Sequence, residues 1–185
     1  MKIPEGSPPG PRSAAVRLEE RAASGEWITV LRQGVPFPVP SFAYRRPYTL
    51  SRAPSAPYED TGGKATDGLY ADENEGDGFA WGYPLPGDGD RVEADLVLYL
   101  GAVRRIDTIR ASARVAARRR PDHVTASFST DGEAWSDDVE AAPLTPGYVS
   151  VRPAGREARY VRFHFAKTRK SPEEDWMLID EVEVY

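Results

Sequence analysis

The sequence predicts an all-β sandwich. Apolar residues alternate with polar ones in several short segments of the second two-thirds of the chain. Those segments are separated by Gly, Pro, Asp and Asn turns, and no helical periodicity of useful length follows residue 45. Period-2 segments between turn residues bury one face each, as two packed sheets require. A chain of 185 residues is long enough to bury a real core and to carry an appendage.

Taken in chain order, residues 1–12 are rich in Pro and Gly and read as linker. Ser13 is placed to cap a short helix from Ala14 to about Ala23, closed by Ser24-Gly25. Trp27 to Leu31 reads as a short strand. The stretch VPFPVPSF, residues 35–42, has three prolines in five residues, which impose an extended, polyproline-like path. Residues 1–45 are therefore expected to form an extended, partly helical N-terminal extension or linker, with the sandwich occupying 46–185.

Within the sandwich, Leu96, Leu98 and Leu100 share one face of a strand from Ala94. Ile106 and Ile109, continued by Ala111 and Ala113, form another. Val124, Ala126 and Phe128 alternate with His123, Thr125, Ser127 and Ser129. Val161, Phe163 and Phe165 point inward, while Tyr160, Arg162 and His164 point outward. Asp131-Gly132 marks a tight turn before Trp135, which is expected in the core. The last segment, Trp176 to Tyr185, sets Leu178, Val182 and Val184 on one side.

Composition excludes several functions. The absence of Cys rules out disulfides, thiolate zinc sites and a cysteine nucleophile. A net charge of -5 argues against a nucleic-acid binder. No apolar run approaches the roughly 18 residues that a spanning helix needs. The N-terminus MKIPEGSPPGPR lacks the apolar core of a signal peptide. Two His cannot form a three-His zinc site, and neither H-E-x-x-H nor G-x-S-x-G occurs. The chain is therefore expected not to be an enzyme.

The charges are blocked. Residues 59–101 carry 11 acids against Lys64 and Arg91, and residues 102–130 carry 7 Arg against 2 acids. The stretch DTGGKATDGLYADENEGDG combines glycines with the oxygens of Asp60, Asp67, Asp72, Asn74 and Asp77. Such a loop suits a hard cation, which takes about 6–8 oxygen ligands. A sugar site pairs an aromatic face with donors and acceptors for hydroxyls. The candidates in loops are Tyr58, Trp81, Tyr83, Trp176 and the run Arg118-Arg119-Arg120, with His123 at the start of a strand.

Several phrases occur together in order: Tyr58-Glu59-Asp60 and Thr66-Asp67-Gly68, then Leu98-Tyr99-Leu100-Gly101 before Ile106-Asp107-Thr108-Ile109. After them come Pro121-Asp122-His123-Val124, Ser129 to Trp135, Ala158 to Arg162, and Ile179-Asp180-Glu181-Val182-Glu183-Val184. Residues 46–185 in this order resemble the discoidin family, the coagulation factor five/eight type C domains. They are also similar to modules appended to bacterial glycoside hydrolases, including family 32 carbohydrate-binding modules. The resemblance implies a galactose-binding-like jelly roll and a non-catalytic module for sugars. It implies a structural calcium held by Asp67, the carbonyl of Lys64, Asp72 and Glu181. It also implies a hydrolase or surface protein as the neighbour, and an extracellular or cell-surface location within a longer chain, with the cytoplasm as the alternative. The rival reading is a structural or protein-interaction module with Trp27 and Phe37 as anchors.

Overall fold

The computed structural model describes residues 11–21, 27–38, 41–71 and 78–185. The chain divides into two compact units, Met1–Ser41 and Phe42–Tyr185.

The first unit holds two strands, β1 (Pro11–Arg21) and β2 (Trp27–Pro38), paired antiparallel from Pro11↔Pro38 to Arg21↔Trp27. The register shifts between Leu18 and Glu19. This corrects two expectations: residues 14–21 are strand instead of helix, and the strand begun at Trp27 continues through Pro36. Only Val16 and Leu18 are large and apolar in the expected helix, too few for a helical stripe. Ala14, Val16 and Leu18 also fit a period of two. Residues 22–23, and the side chains of Trp27 and Phe37, lie outside what is described.

The second unit is built on a five-stranded sheet. It comprises β3 (Tyr48–Leu50), β5 (Arg91–Ile106), β11 (Arg156–Thr168), β7 (His123–Ser129) and β8 (Val139–Glu140), adjacent in that order. A four-stranded sheet runs β13 (Glu181–Val184), β6 (Ile109–Ser112), β10 (Tyr148–Val151) and β9 (Ala142–Thr145). Two further strands, β4 (Trp81–Pro84) and β12 (Trp176–Ile179), pair with each other. All pairings are antiparallel.

The alternation read from sequence dictates the core. Register places Val161 between Leu98 and Phe128, Phe163 between Leu96 and Ala126, and Phe165 between Ala94 and Val124. These side chains share one cluster with Ile109, Ala111, Val151, Val182 and Val184 of the other sheet. Each fully buried Phe contributes roughly 1.5–3 kcal/mol of burial free energy. Two segments expected as single strands are broken. The chain turns at Asp107, whose N–H bonds the Tyr185 carbonyl, so Ile106 ends β5 and Ile109 opens β6. It breaks again at Asp180, whose N–H bonds the Ser112 carbonyl between β12 and β13.

Trp135 is also corrected: it is half-buried on the outer face of the five-stranded sheet, with the Arg162 guanidinium 4.8 Å from its ring centroid. His164, on the same sheet, points outward as expected and bonds Asp95 of β5 at 2.7 Å. Helical structure among the described residues is confined to two 3-10 turns, Lys64–Thr66 and Ala117–Arg119. No helix there is long and apolar enough to cross a membrane.

Candidate functional site

Three of the residues singled out in sequence meet at one place. Trp176 opens β12, and its ring meets Tyr58 edge-on with centroids 4.9 Å apart. Tyr58 sits in the loop after β3, held by the bond from the Gly82 N–H to its carbonyl. Arg119 ends the second 3-10 turn and donates from Nη1 to the Tyr58 hydroxyl at 3.0 Å. Its guanidinium carbon lies 5.9 Å from the centroid of the Tyr58 ring.

Sequence reading missed the fourth member, Asp175. Arg119 donates to it as a fork, Nε to Oδ1 at 2.8 Å and Nη2 to Oδ2 at 2.9 Å. Hydrogen bonding to Arg119 holds the Asp175 carboxyl below the ordinary carboxylate range. The Arg119 side chain is only 15 % exposed, against 44 % for Asp175. The fork therefore fixes a guanidinium that solvent reaches from few directions, which preorganises it. Below this rim lies a satellite apolar cluster of Ala71, Ala80, Ala113, Val115 and Leu178, with Tyr58, Phe79 and Trp176 packed on it.

The loop before Trp176 is tied down from behind. Lys167 is 2 % exposed, with Nζ 3.4 Å from Glu174 and 3.6 Å from Asp122. Arg169 donates to the carbonyls of Leu85, Pro86, Ser171 and Pro172 and pairs with Asp88 at 3.1 Å. The clue in sequence was the charge pattern of KTRKSPEED, where cations precede carboxylates within one turn.

The remaining candidates fall elsewhere. Trp81 and Tyr83 are fully buried and offer a ligand no face. Trp81 packs edge-on to Phe165 at 6.1 Å and donates from Nε1 to the Asp180 carbonyl; the Tyr83 hydroxyl donates to the Arg52 carbonyl at 3.0 Å. Both belong to β4, which is covered on both faces, and so they leave the expected rim. Arg118 is exposed and reaches Asp175 only as a minor electrostatic influence. Arg120 donates from Nε to the carbonyls of Ala113 and Val115 at 3.0 and 3.1 Å, bracing its own loop. It also walls an apolar cavity of about 420 Å³ between Ala111 and Val149 of one sheet and Val124 and Phe165 of the other. His123 faces Glu140 at 3.5 Å.

For the cation, the first 3-10 turn carries Lys64 and ends at Asp67. Glu181 is 2 % exposed and accepts the Gly68 N–H at 3.2 Å. Burial and the like charge of Asp67, reinforced by Glu183 and Asp180, push its carboxyl up to about 9. A buried carboxyl with other carboxylates near it offers hard oxygens of the kind calcium takes. Among the described residues no group of three or more His, Cys, Asp or Glu is placed to hold a metal, so carbonyls would have to complete the shell. Asp72 lies outside the described residues.

Comparison with known proteins agrees with this architecture. The profile of the F5/8 type C domain matches residues 51–182. A fucose-binding module of Streptococcus pneumoniae superposes with a TM-score of 0.56 at 17 % identity, covering 78 % of this chain and 94 % of that one. A chitosan-binding module of a chitosanase/glucanase from Paenibacillus sp. IK-5 gives 0.53 at 18 % identity, covering 78 % and 98 %. A CBM32 module of a family 31 glycoside hydrolase from Clostridium perfringens gives 0.52 at 19 % identity, covering 74 % and 87 %. No curated protein sequence matches the chain.

Proposed function

The chain belongs to the F5/8 type C domain family, and on that premise we propose that its sandwich is a non-catalytic carbohydrate-binding module. The observation that carries this reading is the joining of an aromatic pair, Tyr58 and Trp176, to the Arg119–Asp175 fork on one rim. A pyranose presents an apolar C–H face and a ring of hydroxyls. Trp176 covers the first, while Arg119 and Asp175 offer donors and an acceptor for the second. Arg119 is already fixed by its partners, so little side-chain entropy is lost on binding.

The solved structures it resembles are described as binding fucose, chitosan and Lewis B antigen, all carbohydrates. In this reading calcium is held by Asp67, Glu181 and the Lys64 carbonyl, and pins the loop between Asp60 and Gly68. The ion is structural and takes no part in chemistry. Single-module capture of this kind is weak, so its use is to tether a hydrolase or surface protein outside the cell to a glycan surface by avidity.

A glycan array tests the proposal. Binding to a set of glycans sharing one terminal sugar, lost in Trp176→Ala, supports it. Binding to no glycan overturns it in favour of a protein-interaction module.

A further inference from the structure

Two residues beyond Tyr58 the same loop borders a second concavity. It is a polar cleft of about 570 Å³ whose walls include Arg45, Arg46, Tyr48, Asp60, Lys64 and Asp67. The lining thus carries three cationic residues and two carboxylates; Lys64 donates from Nζ to the Ala80 carbonyl at 3.3 Å, and the carboxylates are already engaged. Asp60 accepts the N–H groups of Gly62, Gly63 and Lys64 on Oδ1 at 3.1–3.2 Å, and the Tyr48 hydroxyl on Oδ2 at 2.6 Å. Gly62 and Gly63, at φ of 104° and 118°, give the backbone the left-handed turn that aims those amides at one oxygen. Asp67 accepts the Leu69 N–H at 2.8 Å.

The two arginines are placed differently. Among the described residues, neither Arg45 nor Arg46 forms an ion pair with a carboxylate. Their backbone is anchored nonetheless. The Arg45 N–H bonds the Thr66 carbonyl at 2.7 Å, and the Thr66 hydroxyl bonds the Arg46 carbonyl at 3.0 Å. Arg45 has φ of 53°, a left-handed conformation that costs a residue with a Cβ. The Arg46 guanidinium is seated on Gly101, where an added Cβ would lie 2.8 Å from Nη1. The Arg45 guanidinium carbon lies 5.2 Å from the centroid of the Tyr44 ring. Backbone strain that persists marks a position which the surroundings over-determine. Both arginines line the same cleft, and an oxyanion there would take charge-assisted hydrogen bonds from them.

We infer that this cleft binds an oxyanion carried on a sugar, the sulfate or carboxylate of an acidic saccharide. The sugar part of the inference rests on the carbohydrate-binding reading; the oxyanion part rests on the cleft alone. The test uses array glycans in matched pairs, with and without one sulfate, against wild type, the double variant Arg45→Gln/Arg46→Gln, and Trp176→Ala. Wild type should retain the sulfated member about tenfold more tightly, the factor that corresponds to about 1.4 kcal/mol. The double variant should bind both members as wild type binds the neutral one, with unchanged Tm. Trp176→Ala should weaken both members and keep their ratio. A ratio of one in wild type, or a ratio that survives in the double variant, overturns the inference.

A thermal-shift arm with inorganic sulfate, matched in ionic strength with chloride, separates the two readings. If no glycan binds but sulfate raises the Tm of wild type and leaves the double variant unmoved, the oxyanion site stands and its ligand is a free anion. If neither glycan nor sulfate acts, the site falls.

Discussion

The Arg119–Asp175 fork sets up the proposed sugar rim, and Asp175→Ala removes it with little disturbance to packing. Two charge-assisted hydrogen bonds of 2.8 and 2.9 Å are lost. Each is worth about 1.5–3 kcal/mol when shielded from solvent. The Asp175 side chain is 44 % exposed, so water recovers much of that, and a net loss of about 1–2 kcal/mol is expected. For a domain of this size that lowers Tm by about 2–8 °C. The pH dependence gives the sharper check. The Asp175 carboxyl titrates below its ordinary value because Arg119 donates to it. Its stabilisation is therefore complete above the unfolded value of about 3.9, and is lost as pH falls through the lower folded value. The Tm gap between wild type and Asp175→Ala should be constant from about pH 5 to 8 and close below about pH 4. Calorimetric scans across that range measure it. A gap that persists unchanged in acid, or no gap at neutral pH, would refute the fork as a stabilising pair.

Three other outcomes are expected. Trp176→Ala should cost at least about tenfold in glycan affinity while lowering Tm by only a few degrees. The half-buried ring gives up its edge-on contact with Tyr58, worth about 0.5–1.5 kcal/mol, and part of its packing on the apolar cluster beneath, as a titration paired with a melt would show. Gly82→Ala should be far more damaging: its Cβ would lie 2.0 Å from the Met177 carbonyl oxygen, forcing β4 from β12 at a cost of about 3 kcal/mol or more in urea unfolding. Calcium at about 100 times its Kd should add about 2.7 kcal/mol, or roughly 5–10 °C in Tm, reversed by EDTA and absent in Asp67→Ala; an unchanged melt with and without calcium counts against the site.

The sandwich was legible where one face of a strand is buried and the other wet. From Arg91 to Leu100, β5 alternates exposed or half-buried positions with the buried Val92, Ala94, Leu96, Leu98 and Leu100. Alternation fades where that asymmetry ends. Past Leu100, β5 runs on through Gly101 to Arg105, all exposed, so nothing in composition marks the strand. At β4 the opposite holds: Trp81 and Tyr83 are both inside, because the strand is covered on both faces, and their aromatic character was read as a rim. In the N-terminal unit, Ala, Arg and Glu favour a helix locally, but pairing with residues 27–38 prevails over that propensity.

The site was legible in residue type and not in partnership. Arg118, Arg119 and Arg120 are alike on paper, and the 3-10 turn distributes them to solvent, to Asp175 and to the carbonyls of Ala113 and Val115. Asp175 was hidden in the acidic run before Trp176, because its partner lies 56 positions away in sequence. Arg45 and Arg46 fell at the expected domain boundary, where a cleft was not anticipated.

The most direct measurement is an NMR titration of the isotope-labelled chain with the strongest glycan from the array. Carbohydrate capture at the rim predicts saturable shifts centred on Tyr58, Arg119, Asp175 and the Trp176 indole. Shifts that leave those four unmoved and concentrate elsewhere on the sandwich would contradict it.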